Sequence, residues 1–304
     1  MLKENNVSLN ATSSTRPPLI VTDAGCDLPP VIFEEYNIKI APLKILFGDE
    51  VYQSGVDMTQ EQFYVRLGRG DVHPTTSQPT VPDFVDLYRT LGADGTPILS
   101  IHISEGLSGT VNVARQAAKE LSDQPITVWD SGTLSAAMGI QVMTAARASK
   151  AGYSTEQILP LLKQTHEVAD LLFTVEDLTY LYKGGRIGSV RYQLGQVLHI
   201  KPIVTVSKSG STYGTYISAG RARSLPKAID AFISHITAAV EAGGKLRAIS
   251  VYGDDDSLAK ELNSRLADKF DCIYLDLVPT APVLGVHVGP GALGIGYARG
   301  DWPV

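Results

Sequence analysis

The chain has 304 residues, 44% hydrophobic and 19% charged, which is enough apolar material for folded cores and excludes wholesale disorder. Its 26 basic and 32 acidic residues give a net charge of −6, which argues against binding to nucleic acids or to anionic membranes. No apolar stretch reaches the ~18–20 residues of a membrane span, and two cysteines are too few for a disulfide scaffold.

The first residues are polar and rich in Ser, Thr and Asn, without the apolar segment that a targeting signal needs. We predict a disordered leader over residues 1–17 of a cytoplasmic protein. The remaining length favours two domains, which we place at residues 18–165 and 166–304. The boundary rests on a change in the pattern of elements, because no Gly/Ser-rich linker marks it.

Strands and helices alternate along the first predicted domain. A buried strand over residues 19–23 is followed by a helix that Asp27 and Pro29 open. Capping boxes at Thr59 and Thr80 open two more helices. We predict further strands at residues 38–47, 97–103 and 126–129 and further helices at residues 109–121 and 135–151. This alternation is typical of α/β proteins and predicts a parallel-sheet, three-layer α/β/α domain.

The pattern changes after a helix that begins near Ser154. Short alternating segments predict an antiparallel pair of strands in a sheet with one exposed face. We predict strands at residues 171–175, 203–206, 212–218, 247–252, 273–277 and 283–288, and helices at residues 224–240 and 257–270. The second domain is therefore predicted to be a mixed-sheet, two-layer α/β domain.

Three polar residues are candidates for ligand binding. Thr76 lies in a hydroxyl-rich loop and has no helix-capping role, so its hydroxyl is available to a carboxylate. Ser108 lies where a strand passes to a helix, which is where open α/β sheets bind ligands and where helix N–H groups face an anion. His287 lies in an apolar, glycine-rich setting, although a lone histidine of this kind is more often a packed, hydrogen-bonded residue.

Two further patterns have weaker chemical interpretations. The segment around Ser108 lacks the last glycine of a nucleophile elbow, because Thr110 stands there, so a serine hydrolase is a minor alternative. Residues 289–294 match a dinucleotide-binding fingerprint by letter, but Pro290 and the short chain after it argue against that function. We predict instead a tight turn that lets the backbone approach a ligand. No spacing of His, Cys, Asp and Glu predicts a metal site.

Taken together, the polar and glycine-rich segments resemble the motifs of the DegV family of bacterial fatty-acid-binding proteins. The resemblance extends from about Ile20 to Gly296 and follows the order of the family motifs. The segments are Asp23 after the first strand, Thr75-Thr76-Ser77-Gln78-Pro79, Ser104 with Leu107-Ser108-Gly109-Thr110, Asp130-Ser131, Gly184-Gly185-Arg186-Ile187-Gly188, Ile200-Lys201-Pro202-Ile203 and His287 before Gly289-Pro290-Gly291.

The resemblance implies a lipid carrier without catalytic residues, metal or cofactor of its own. A long-chain fatty acid would lie between two α/β domains, with its carboxylate held by Thr76, Ser108 and His287. An ATP-dependent kinase partner would phosphorylate that carboxylate, and the acyl phosphate would enter phospholipid synthesis. Arg186, in the basic turn, would dock the kinase or its phosphates, unless the turn is merely solvated. The alternatives are a serine-dependent acyl hydrolase or transferase, a kinase-like enzyme, and a lipid sensor that does not present its ligand.

Overall fold

A parallel sheet forms the centre of the N-terminal part. The computed structural model describes residues 7–9, 15–187 and 200–304. The order across this sheet is β1 (Val7–Leu9), β8 (Ile126–Asp130), β7 (Ile98–His102), β2 (Leu19–Asp23) and β3 (Lys39–Ala41). Strands β2, β3, β7 and β8 run parallel, whereas β1 runs antiparallel to β8. Strands β7 and β8 are buried along their whole length, as expected for strands covered on both faces.

Strand β1 contradicts the prediction of a disordered leader for residues 7–9. Backbone pairing aligns Val7 with Trp129 and Leu9 with Thr127, so this short segment extends the sheet at its β8 edge. Polar composition alone suggested disorder here, but the edge of a sheet offers free backbone donors and acceptors to any extended segment.

Helices cover both faces of the parallel sheet. On one face α3 (Val81–Leu91) and α4 (Thr110–Glu120) pack through a cluster that includes Phe84, Tyr88 and Val111. On the other face lies α5 (Ser135–Lys150), which is followed by α6 (Thr155–Val168). The short helix α1 (Pro30–Glu35) connects β2 to β3. The predicted α/β/α arrangement is confirmed.

A mixed sheet forms the C-terminal part, as predicted. Its order is β11 (Tyr216–Ala222), β10 (Lys201–Val206), β9 (Ala169–Thr174), β14 (Leu293–Arg299), β12 (Lys245–Tyr252) and β13 (Asp271–Pro279). Only β12 and β13 pair in parallel among these strands, and the predicted β10–β11 pair is antiparallel. The helices α8 (Leu225–Ala239) and α9 (Ser257–Ala267) cover the outer face with an apolar cluster that includes Phe232, Ile236 and Leu262.

Helix α5 lies between the two large sheets and contacts strands of both. Its many small residues permit close approach, since a side chain at Gly296 of β14 would overlap the backbone of Ala136 and Ala137. Residues on every side of α5 are buried, which is why its sequence shows no polar face. The inner face of the mixed sheet is thus covered by a helix that precedes it in the chain.

A small sheet and three further helices complete the region between the halves. Its strands are β5 (Glu50–Gln53), β4 (Lys44–Phe47) and β6 (Thr75–Ser77), and the helices are α2 (Gln60–Gly68), α7 (Thr179–Lys183) and α10 (Pro282–Val288). The single strand predicted at residues 38–47 is wrong. The chain is interrupted around Pro42, which has no N–H for a ladder, so β3 and β4 belong to different sheets.

The strand predicted at residues 283–288 is also wrong, because these residues form most of helix α10. Pro282 occupies the first turn of the helix, where its missing N–H costs nothing. Periodicity cannot separate a short buried helix from a short buried strand in so apolar a run. The last strand lies further along, in β14. No helix in the described ranges is long and apolar enough to cross a membrane.

Candidate functional site

A largely apolar cavity lies where the two large sheets, α10 and the β7–α4 connection meet. It contains about 770 Å³ of empty space, a volume that includes the part open to solvent. Its apolar lining includes Leu43, Ile103, Leu107, Leu134, Phe173, Val251 and Leu284. An apolar lining of this kind suits a hydrocarbon.

All four residues that the sequence singled out line this cavity. Thr76 comes from β6, Ser108 from the turn before α4, Arg186 from the segment after α7, and His287 from the last turn of α10. Their side chains are therefore brought to one place by tertiary structure. The sequence alone does not show this convergence, because Thr76 and His287 are 211 positions apart.

Thr76 and His287 form a direct pair at the cavity wall. The hydroxyl oxygen of Thr76 lies 2.9 Å from Nε2 of His287, whose side chain is only 9% exposed. Burial lowers the pKa of His287 to about 3, and the positive charges of Arg186 and His73 add to the shift. The imidazole is therefore neutral near pH 7, with one nitrogen that donates and one that accepts.

The backbone at Gly184 packs closely against the Nδ1 edge of the His287 imidazole. A side chain at position 184 would overlap Nδ1 of His287, and would also meet the carbonyl of Tyr180. Arg186 folds back onto the same glycine, because its Nη1 donates to the carbonyl of Gly184 at 2.7 Å. The glycine-rich motif thus sets the position of His287 as well as that of Arg186. Its last residue, Gly188, lies outside the described residues.

Ser108 is held in the turn that leads into α4. Its hydroxyl lies 2.8 Å from the hydroxyl of Thr110 and accepts from the Thr110 N–H at 3.3 Å. Gly109 is packed so tightly against the side-chain amide of Gln78 that any side chain there would overlap it. Two separate sequence motifs, one with Thr76 and one with Ser108, therefore contact each other directly.

Arg186 is exposed and also lines the cavity, so its guanidinium stands at the boundary between the site and solvent. Arg186 supplies the positive charge among the described residues that line the cavity. Arg186 is therefore solvated, as the sequence suggested, and it also contacts the cavity. The position is suited to an interaction with an anion in the cavity or with a group that approaches from outside.

The geometry does not match a nucleophile with its base. A serine nucleophile needs a general base within hydrogen-bond distance. The hydroxyl of Ser108 is bonded to Thr110, and Nε2 of His287 is bonded to Thr76. Within the described ranges, no group of three or more His, Cys, Asp and Glu side chains could hold a metal ion.

Asp27 plays a different role from the one predicted. The helix cap is Pro29, and the Asp27 carboxylate is buried instead. It accepts from the Ser135 hydroxyl at 2.5 Å, the Thr280 hydroxyl at 2.9 Å and the Ala281 N–H at 2.7 Å. Burial raises the pKa of Asp27 to about 6, although these three donors oppose the shift. Asp27 therefore joins the starts of α5 and α10, and both hydroxyl partners line the cavity.

Sequence reasoning missed the aromatic part of the wall, whereas the glycine turn that it singled out does reach the cavity. The rings of Phe173 and Tyr216 meet edge to face, 5.1 Å between centroids, on the mixed sheet. The glycine turn after α10 was predicted to approach a ligand. Its second half does so, because Ala292, Leu293 and Gly294 line the cavity. Its first half packs against the protein, with Gly289 (φ of 74°) against the Tyr180 ring and Gly291 against Glu176. Gly289 and Gly291 therefore permit close packing within the chain.

Comparisons with known proteins agree with this architecture. The model of a family described as "Uncharacterised protein, DegV family" matches residues 19–300. A DegV domain-containing protein of Deinococcus radiodurans is 39% identical over 284 residues, which covers 93% of this chain and 96% of the relative.

Solved structures with the same fold include proteins described as fatty-acid binding. A DegV family protein of Thermus thermophilus is 30% identical, with a TM-score of 0.85 over 93% of this chain and 99% of that one. The Bacillus subtilis DegV protein is 28% identical, with a TM-score of 0.81 over 94% and 100% of the two chains. A stearic-acid-binding protein of Eubacterium ventriosum is 26% identical, with a TM-score of 0.81 over 93% and 98%.

Proposed function

Because the chain belongs to the DegV family, we propose that it binds a long-chain fatty acid in the cavity and acts as a carrier of that ligand. The carboxylate would be held by Thr76, Ser108 and His287. The observation that carries the proposal is the convergence of these three polar side chains, from separate elements, on one apolar cavity.

The hydrocarbon tail would supply most of the affinity. A C16 chain buries about 14 methylenes, and at ~0.8 kcal/mol each this is roughly 11 kcal/mol before the costs of immobilisation. The apolar lining, with the Phe173–Tyr216 pair, provides the surface for this burial. Affinity therefore depends mainly on the length of chain that the cavity encloses.

The carboxylate determines the orientation of the ligand. Burying an ionised carboxylate without partners is very costly, so the head group needs donors. Two hydroxyls and a neutral imidazole can donate without forming a tight ion pair, and Arg186 at the boundary with solvent contributes a positive charge. A carboxylate oxygen held in this way stays nucleophilic enough to accept a phosphoryl group.

We further propose that an ATP-dependent kinase partner phosphorylates the bound fatty acid and that Arg186 helps to dock it. An exposed guanidinium beside the carboxylate is well placed to pair with carboxylates or phosphates of a partner. The partner requires ATP, so this proposal includes a cytoplasmic location. The resulting acyl phosphate would supply phospholipid synthesis.

Native mass spectrometry of protein purified without detergent tests the binding step. We expect one long-chain fatty acid per chain, and a rise in melting temperature when palmitate or oleate is added to delipidated protein. Methyl palmitate, which lacks the carboxylate, is the control and should give a smaller rise. Delipidated protein that shows no shift with any fatty acid would contradict the proposal.

The kinase step is tested with Arg186→Ala and with Arg223→Ala, an exposed control away from the cavity lining. Arg186→Ala should lower acyl-phosphate formation by a kinase partner more than it lowers fatty-acid binding. Equal loss of both activities would restrict Arg186 to ligand binding. An acyl adduct on Ser108 after exposure to an activated ester would favour the acyl-transfer enzyme instead.

A further inference from the structure

We infer that Ser135 and Thr280, with Asp27 behind them, form a second polar subsite in the cavity, and that the acyl ligand it accepts carries a hydroxyl group in the middle of its chain. This inference rests on the proposed function, since it names the class of fatty acid that the same cavity binds. Ser135 and Thr280 both line the cavity, and their side chains are only 5% and 4% exposed. Thr280 lies just before α10, whereas His287 lies at the end of that helix.

Asp27 fixes the direction of both hydroxyl hydrogens. Its Oδ2 accepts from Oγ of Ser135 at 2.5 Å and from Oγ1 of Thr280 at 2.9 Å. A hydroxyl has one hydrogen and two lone pairs, so each of these oxygens has only acceptor capacity left for a ligand. A ligand hydroxyl can donate to them, whereas a ketone or an ester has no hydrogen to give. The negative charge of Asp27 also disfavours the ligand carboxylate at this end of the cavity.

The backbone of Ser135 is strained, which supports a role beyond packing. Its φ of 55° lies in the left-handed region, which glycine adopts without strain but other residues disfavour. The N–H of Ser135 donates to the carbonyl of Gly25 at 2.8 Å, and its hydroxyl donates to Asp27, so both groups hold it in this conformation. Strained residues that their surroundings hold in place are concentrated at binding sites. A serine here, rather than a glycine, places a hydroxyl at the cavity wall.

The length of α10 sets the distance between the two polar subsites. Thr280 and His287 stand at its opposite ends, and at ~1.5 Å of rise per residue they are about 10 Å apart along the helix axis. An extended chain advances about 1.2 Å per bond. A carboxylate bound at His287 therefore places the Ser135–Thr280 subsite roughly eight bonds along the acyl chain. The ligand hydroxyl is expected near the ninth or tenth carbon, about half-way along an C18 acid.

The experiment measures dissociation constants of delipidated protein at pH 8, above the pKa of about 6 of Asp27, by displacement of a fluorescent fatty acid. The ligands are stearate, 10-oxostearate and hydroxystearates with the hydroxyl at C6, C10 or C14. We expect 10-hydroxystearate to bind about tenfold more tightly than stearate, by one hydrogen bond. The C6 and C14 isomers should bind less tightly than stearate, because their hydroxyls meet apolar lining. The ketone should also bind less tightly than stearate, because it cannot donate.

Three variants assign the preference to the two hydroxyls. Thr280→Val and Ser135→Gly should each remove the preference for 10-hydroxystearate over stearate, and glycine suits the backbone at position 135. Thr144→Val is the matched control, because Thr144 is a buried residue of α5 outside the cavity lining, and it should keep the preference. A wild type that does not prefer the C10 hydroxyl, or an unchanged preference in both cavity variants, would overturn the inference alone. A wild type that does not bind stearate would overturn the proposed function with it.

Discussion

Gly184 lies directly against His287, so that any side chain at position 184 would overlap Nδ1 of the imidazole. We therefore predict that Gly184→Ala displaces His287 from Thr76. Loss of one hydrogen bond to a charged head group is worth about 1.5–3 kcal/mol, or about 10- to 150-fold in the Kd for palmitate. Titration of delipidated protein measures this change.

Gly68→Ala is the control for this substitution. Gly68 ends α2, and a side chain there has open space around it. Its replacement should leave palmitate binding unchanged. Wild-type affinity in Gly184→Ala would show that His287 does not need its present position to hold the ligand.

Thr76→Val removes the hydroxyl and keeps the shape of the side chain. We predict that the Kd for palmitate rises about 10- to 150-fold, by the loss of one hydrogen bond to the carboxylate, while fatty acid still co-purifies because the tail is held separately. Thr75→Val is the matched control, since Thr75 is exposed and successive side chains of a strand point to opposite faces. Equal effects of the two substitutions would count against a head-group role for Thr76.

The low pKa of His287 has two consequences for pH dependence. Since its pKa is about 3, the imidazole stays neutral above pH 5, and the Kd for palmitate should not follow a histidine titration between pH 6 and 8. His287→Gln should retain part of the binding, because the amide can still donate. A general base would instead lose activity below its pKa and would not be rescued by glutamine.

The lowered pKa of His287 also affects the free energy of unfolding. The unfolded chain protonates histidine near pH ~6.5, whereas the folded chain resists protonation down to about 3. The unfolding free energy should therefore fall as the pH drops below 6.5, with a limiting slope of ~1.4 kcal/mol per pH unit from this group. Urea denaturation of the wild type and His287→Gln should show a shallower loss in the variant.

Asp27 has the opposite pH dependence. Its pKa is raised from 3.8 to about 6 in the folded state, so protonation favours folding, and this contribution is lost as the pH rises through 6. We predict that the wild type gains about 3 kcal/mol of stability relative to Asp27→Asn between pH 7.5 and pH 3.5. Asp86→Asn, at an exposed site, should show no such difference. Parallel pH curves for the wild type and Asp27→Asn would contradict this assignment.

Local signals in the sequence predicted much of the fold. The capping boxes at Thr59 and Thr80 form as predicted, because each rests on two residues three positions apart. The strand predictions at residues 38–47 and 283–288 were wrong because these segments carry no such local signal. Apolar residues in both segments follow one another without a clear helical or strand periodicity, so tertiary contacts determine the conformation.

The candidate site was predictable only in part. Thr76, Ser108, Arg186 and His287 stood out as polar or basic residues in glycine-rich or hydroxyl-rich segments, and all four line the cavity. Phe173 and Tyr216 gave no signal, because aromatic residues are ordinary in strands. Their place in the cavity wall depends on contacts that form only when the sheets come together.

From the packing of α5 against both sheets we predict that the two halves of the molecule unfold together. Cutting the chain after residue 165 would leave the mixed sheet without the helix that covers its inner face, and would leave α5 with one face exposed to water. We expect each fragment to expose apolar surface that the intact chain buries, and so to be less stable than the whole. Calorimetry of the intact protein should accordingly record one heat-absorption peak, and the fragments should regain structure only when they are mixed.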